Sequence, residues 1–222
     1  MNITVVAGGE ATAAWLRAAL AGRRPDFLVA ADGGVVPLLA AGLRPDVLIG
    51  DFDSAPAAAV ELCRTSGARV LSFPPEKDET DLELALNWAD ETLRRAGAAD
   101  EIRLLGAGGK RTDHLLANLA LMLKWAQLGR RVRMVNPGEE CWVAGPGREE
   151  LTGEAGGLLS VLPLSAAAEL SYQGLYYPLH RQTLRQNSAR GVSNRMLGGH
   201  AVVEVHAGWV LLVQEICNRA AP

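Results

Sequence analysis

Val47-Leu48-Ile49-Gly50-Asp51-Phe52-Asp53-Ser54 is an apolar run that ends on a glycine and opens into two acids. A short apolar run bounded by turn residues reads as a buried strand. On an extended backbone, residues i and i+2 point to the same side, so Asp51 and Asp53 can present both carboxylates to one point. Like charges held that close need something positive between them, and a hard cation such as Mg²⁺ suits carboxylate oxygens. Taken alone, the stretch serves equally well as a polar loop in which Asp53 or Ser54 caps the next helix.

The pattern recurs on both sides of this stretch. Up to about residue 136, apolar runs at Ile3–Ala7, Phe27–Ala31, Val47–Ile49, Val70–Phe73, Ile102–Leu105 and Val132–Val135 alternate with helical stretches. One helix places Leu82, Ala85, Leu86, Ala89 and Leu93 on a face, and another does so with Leu116, Leu119, Ala120 and Leu123. Strand–helix alternation predicts right-handed crossovers and a Rossmann-like α/β fold, a mostly parallel sheet flanked by helices. Asn136-Pro137-Gly138 ends it. Beyond lie short strand signals at Leu158–Leu164, Leu170–Tyr172, Ala201–His206 and Trp209–Val213, with Val202–Val213 reading as a hairpin that turns at Ala207-Gly208. The expected architecture is therefore an α/β domain over 1–136 and a smaller all-β, sandwich-like domain over 140–222.

Composition narrows the function. The chain has 222 residues, 49% of them hydrophobic, with a formal net charge of −3. No basic stripe marks a nucleic-acid or anionic-membrane partner. The three cysteines, Cys63, Cys141 and Cys217, form no C-x-x-C pair and fit a reducing compartment. The start Met1-Asn2-Ile3-Thr4-Val5-Val6 lacks a signal-peptide form, and no apolar run reaches transmembrane length. A cytoplasmic protein is expected.

Four polar clusters each follow a strand. They are Ala31-Asp32-Gly33-Gly34, Gly50–Ser54, Pro74–Asp81 with Lys77, Asp78 and Thr80, and Gly106–His114 with Gly108, Gly109, Lys110, Arg111 and Asp113. Open parallel sheets bind ligands outside the carboxyl ends of their strands, so the clusters are expected to converge there. Acids, glycines and cations together suit a metal–polyphosphate site: carboxylates for Mg²⁺, glycine amides for phosphate oxygens, Lys and Arg for the remaining charge. Gly106–Gly109 leads into a helix whose N-terminus favours an anion. Helix capping also accounts for Asp78, Asp81 and Asp113, each such role contributing roughly 1 kcal/mol. A tight turn accounts for Gly33-Gly34, an orienting role for His114, and Gly8-Gly9 hints only weakly at a phosphate loop. The chain has neither a Walker A loop nor a complete G-x-G-x-x-G, which sets a dinucleotide oxidoreductase aside.

In order, A-D-G-G, G-D-F-D-S, K-D-x-T-D-x-E-x-A-L and G-x-x-x-x-R-x-D-H-x-x-x-N resemble thiamine pyrophosphokinase (thiamine diphosphokinase). Gly174-Leu175-Tyr176-Tyr177-Pro178-Leu179 and Gly191-Val192-Ser193-Asn194 resemble that family's β-domain. The resemblance implies transfer of diphosphate from ATP to the thiamine hydroxyl, releasing AMP, with attack on the β-phosphorus. It implies Mg²⁺ on Asp51, Asp53 and Asp81, and Asp32 in the nucleotide and metal site. It implies Arg111 on phosphate charge beside Asp113, and Ser193 approaching thiamine with Asn194. It also implies a homodimer whose active sites draw on both chains. Two departures stand out: Lys110 where the family has Gly, and Ser193-Asn194-Arg195-Met196 where it has Ser-Asn-Glu-Phe. A pyrophosphokinase for a pterin alcohol, or a regulator binding thiamine or nucleotide without turnover, are the rival readings.

Overall fold

The computed structural model describes residues 1–22, 24–97, 101–109 and 111–216. Lys110 and Cys217, both singled out from the sequence, lie outside the described residues. Two compact units emerge, 1–121 with 130–137 and 122–129 with 138–222.

The first unit alternates β1 (Ile3–Val6), α1 (Ala13–Leu20), β2 (Phe27–Ala31), α2 (Val35–Ala40), β3 (Val47–Gly50), α3 (Ala57–Thr65), β4 (Arg69–Ser72), α4 (Asp81–Arg95), β5 (Ile102–Leu105), α5 (Thr112–Gln127, divided between the units) and β6 (Val132–Asn136). These strands pair in parallel in the order β6-β5-β1-β2-β3-β4. Ile3, Val5, Val6, Leu48, Ile49, Leu104 and Leu105 are fully buried, as expected of strands covered on both faces. α4 begins where the Thr80 hydroxyl accepts the Glu83 amide at 3.2 Å, and it buries Leu82, Ala85, Leu86, Ala89 and Leu93, the face read from its period. Each such leucine is worth about 1.5–3 kcal/mol on burial.

α5 is rotated from expectation. Leu116 and Ala120 are exposed, whereas Asn118, Met122 and Trp125 are buried. The helix is apolar on several faces, so its period does not single out one side. A polar anchor does, because Asn118 Nδ2 donates to Ala107 O at 2.8 Å.

The second unit is antiparallel. Its strands are β7 (Glu139–Ala144), β8 (Gly147–Thr152), β9 (Leu158–Pro163), β10 (Ala167–Gln173), β11 (Gln182–Arg185), β12 (Asn194–Arg195), β13 (His200–Ala207) and β14 (Val210–Glu215). They run as β12-β9-β14-β7 and, in a second sheet, β11-β10-β13-β8. One core joins Trp142, Leu159, Val161 and Leu212 of the first set with Leu151, Leu170, Val203 and Val205 of the second. The expected Val202–Val213 hairpin does not form. β13 pairs with β10 and β8, and β14 with β7 and β9, so each is central in its own sheet and has no edge left for the other. No helix among the described residues is long and apolar enough to cross a membrane.

Candidate active site

The loops leaving β2 and β3 are held together by strand register. Ala31 pairs with Ile49, which brings Asp32 beside Gly50. A Cβ on Gly50 would stand 2.9 Å from Asp32 Cβ and 3.3 Å from Asp81 Cγ, so only glycine lets the acids close in. Asp51 and Asp53 then converge by a route other than an extended strand. Phe52 takes φ 65°, and the Asp53 amide donates to Asp51 Oδ1 at 3.3 Å, an Asx-type turn. Asp32 also has positive φ, at 40°. Strain of this kind persists only where the surroundings enforce it.

Asp32, Asp51 and Asp53 each offer an oxygen within 4.8 Å of the others. Ser54 Oγ donates to Asp53 Oδ1 at 2.9 Å, a role not read from the sequence. Lys77 Nζ lies 2.6 Å from Asp51 Oδ2 and 3.2 Å from Asp81 Oδ1, the second contact an ion pair without hydrogen-bond geometry. Asp32 Oδ1 and Asp81 Oδ1 are buried without hydrogen-bond partners. Burial pushes the Asp32 carboxyl above its ordinary range, with the charges of Asp81 and Asp53 adding, against the Gly33 amide. Burial likewise pushes Asp81 up, with Lys77 offsetting part of it. The Lys77 bond holds Asp51 down, against its own desolvation. For Lys77 itself, burial pulls down, but its bond to Asp51 and its ion pair with Asp81 outweigh this and hold it above the usual range. This is a dense, under-neutralised acid cluster, and the orphaned oxygens are the feature that a hard cation fits.

The other predicted residues separate into two groups. Thr80 is occupied in capping α4, Asp78 is exposed, and Gly33 lies against Ser54. At the β5–α5 loop, Arg111 binds Asp113 through two bonds of 3.1 and 2.6 Å, and the His114 amide donates to Asp113 Oδ1. Arg111 pulls the Asp113 carboxyl down to about 2. The pair is exposed, with both side chains at 65%. Gly9 matters more than the weak sequence signal of Gly8-Gly9 suggested. The Gly9 amide donates to Gly106 O at 2.8 Å, and a Cβ there would meet that oxygen at 2.4 Å. Gly108 lies against the Asn136 amide and Gly109, at φ 77°, under the Glu10 side chain, so Glu10 and Asn136 are neighbours that the motif did not announce.

In the second unit, Ser193 is exposed at φ 57°, its amide donating to Ser160 Oγ at 3.0 Å. Asn194 is buried and committed to the main chain: Oδ1 accepts from the Tyr177 and Arg195 amides, and Nδ2 donates to Tyr177 O. That clamp presents Tyr176 and Tyr177 outward, with Val192 and Leu197 also exposed. Met196 faces the core at 2% exposure, so this position bears on packing rather than on a surface contact. Arg195 is exposed.

Residues 21–134 match the model for the thiamin pyrophosphokinase catalytic domain, and residues 149–210 the model for the thiamin pyrophosphokinase vitamin B1 binding domain. A thiamine pyrophosphokinase of Bacillus subtilis (strain 168) is 28% identical over 188 residues, covering 84% of this chain and 86% of the relative. The Bacillus subtilis crystal structure superposes with a TM-score of 0.83 at 26% identity, over 97% of this chain and 99% of that one. The thiamin pyrophosphokinase of Geobacillus thermodenitrificans gives 0.81 at 30% identity, over the full length of both chains (100% each).

Proposed function

The chain belongs to the thiamine pyrophosphokinase family, and from that premise we propose that it transfers a diphosphate group from ATP to the thiamine hydroxyl, giving thiamine diphosphate and AMP. The hydroxyl oxygen forms a bond to the β-phosphorus, the bond from that phosphorus to the oxygen bridging to the α-phosphorus breaks, and AMP carries away the electron pair. The hydroxyl proton passes to a base. The observation that carries the site assignment is the Asp32–Asp51–Asp53 cluster with Lys77 between Asp51 and Asp81.

Asp51 and Asp53, with Asp32 and Asp81 adjoining, are the residues that would hold Mg²⁺. Bound there, the cation would supply charge neutralisation for the triphosphate. Transfer of this kind depends on positioning and charge neutralisation more than on covalent chemistry. Lys77 and Arg111 carry the positive charge for the phosphates, and the amides of the Gly106–Gly109 loop lie at the strand ends where an anion is favoured. Asp81, at the start of α4, and Asp78, just before it, are the candidate acceptors for that proton. Ser193, beside exposed Tyr176 and Tyr177, is the proposed thiamine contact, with Asn194 as its anchor. A homodimer with shared sites and a cytoplasmic setting are carried forward as part of this reading.

Matches to both domain models of one family disfavour the pterin kinase and the non-catalytic regulator. The test is purified protein with ATP, Mg²⁺ and either thiamine or a hydroxymethylpterin, followed for AMP and the diphosphate product. Equimolar AMP and thiamine diphosphate are expected. AMP with the pterin alone, or none with either, overturns the reading. Sedimentation of the same sample tests the dimer.

A further inference from the structure

Lys77 does not stand beside the acids; it is inserted between two of them. Its side chain is 11% exposed, against 10% for Asp51 and 21% for Asp81. Asp51 belongs at once to this ion pair and to the carboxylate set that suits a cation. Its two oxygens are both engaged, Oδ1 by the Asp53 amide and Oδ2 by Lys77. Across the cluster, Asp32 is 6% exposed and keeps a buried oxygen with no hydrogen-bond partner. The cluster thus has ligand capacity on the Asp32 side and a resident positive charge on the Asp51–Asp81 side.

A fixed ammonium this close to a ligand oxygen opposes a divalent cation at the same cluster, and low solvent exposure weakens the screening that would soften the opposition. Polyphosphate changes the balance, because it gives the ammonium another anion and brings oxygens that complete the cation's shell. We propose that Lys77 makes divalent-cation binding at the acid cluster conditional on polyphosphate. It weakens the hold of the acids on a bare cation, and exchanges Asp51 and Asp81 for phosphate oxygens when the nucleotide arrives. The cation and the nucleotide therefore bind as one complex, and the protein does not sequester the ion without its substrate. This deepens the proposed function at its nucleotide end and does not depend on the identity of the acceptor alcohol.

The test uses Mn²⁺ as the probe, with affinity read by electron paramagnetic resonance at pH 8, alone and with α,β-methylene-ATP. The full chain is compared with Lys77→Met and, as the charge-preserving control, Lys77→Arg. Lys77→Met is expected to bind Mn²⁺ alone at least tenfold more tightly, and the tightening that the nucleotide analogue produces is expected to shrink by a similar factor. Lys77→Arg is expected to keep the weak intrinsic affinity. Unchanged or weaker Mn²⁺ binding by Lys77→Met overturns the proposal, as does Lys77→Arg behaving like Lys77→Met. Circular dichroism checks folding, and Lys77→Gln replaces the Met variant if that one does not fold. Failure of the thiamine assay with the Mn²⁺ coupling intact removes the acceptor, not this inference. AMP production with no effect of Lys77 on Mn²⁺ does the reverse.

Discussion

Two polar regions of the first unit carry similar residue types and behave oppositely. Around β2, β3 and α4, Asp32, Asp51 and Asp81 are partly buried, crowd together with exposed Asp53, and include oxygens without hydrogen-bond partners despite Lys77. At the start of α5, Arg111 and Asp113 form a closed, solvent-exposed pair. The first region stores electrostatic cost that a bound ligand can relieve; the second is screened, neutral as a pair and inexpensive to rearrange. The difference lies in burial, since both regions were written with acids, glycines and cations.

The sharpest way to break this contrast is at the acid pair. Asp51→Asn and Asp53→Asn are each expected to lower turnover at least a hundredfold, about 2.7 kcal/mol of transition-state stabilisation, while leaving the fold intact. AMP release together with a far-ultraviolet melt checks both halves, and near-normal activity in either variant removes that residue from the site.

Asp32→Asn sharpens the contrast through stability. The folded-state pKa of Asp32 is raised above its ordinary 3.8. Its ionised form therefore costs stability, a cost that sets in as pH rises above the ordinary value and is complete once pH exceeds the raised one. Removing the charge is expected to raise Tm by about 2–4 °C at pH 7, roughly 1 kcal/mol, and by less at pH 4, while activity falls. A lower Tm at pH 7 would mean that the carboxylate is satisfied in the folded protein.

The smallest change is expected at the exposed pair. Asp113→Asn is expected to leave Tm nearly unchanged, because solvent screens the ion pair it breaks, and to do so equally across pH 4 to 8, where the carboxylate stays ionised. Arg111→Ala is expected to leave Tm unchanged as well but to lower kcat roughly tenfold or more through lost phosphate neutralisation. A drop in Tm for either variant would show that the pair holds the loop together.

Much of this was legible along the chain. The β1–β6 alternation and the α4 face follow from local period, whereas the cap of that helix falls on Thr80 and not on Asp78. The α5 face was not legible, because leucines on several sides give no unique stripe and the choice was made by Asn118 reaching Ala107 O. Nor was the partner of β13, since alternation tells which face of a strand is buried and says nothing about which strand lies beside it. Ser193 and Asn194 were adjacent in one motif, yet one is exposed and the other is a buried main-chain clamp, a division that only their surroundings impose.

For the stretch from Val47 to Ser54, the chain itself determined a buried strand, a glycine and two acids at its carboxyl end, because side-chain size and polarity along a few residues are local properties. Tertiary structure decided the rest. Parallel pairing of β2 with β3 brought Asp32 against Gly50, the left-handed Phe52 turned Asp53 back toward Asp51, and Lys77 entered from the α4 side. Charge is written in sequence, but its cost is set by distance and burial, and those exist only once the strands have paired.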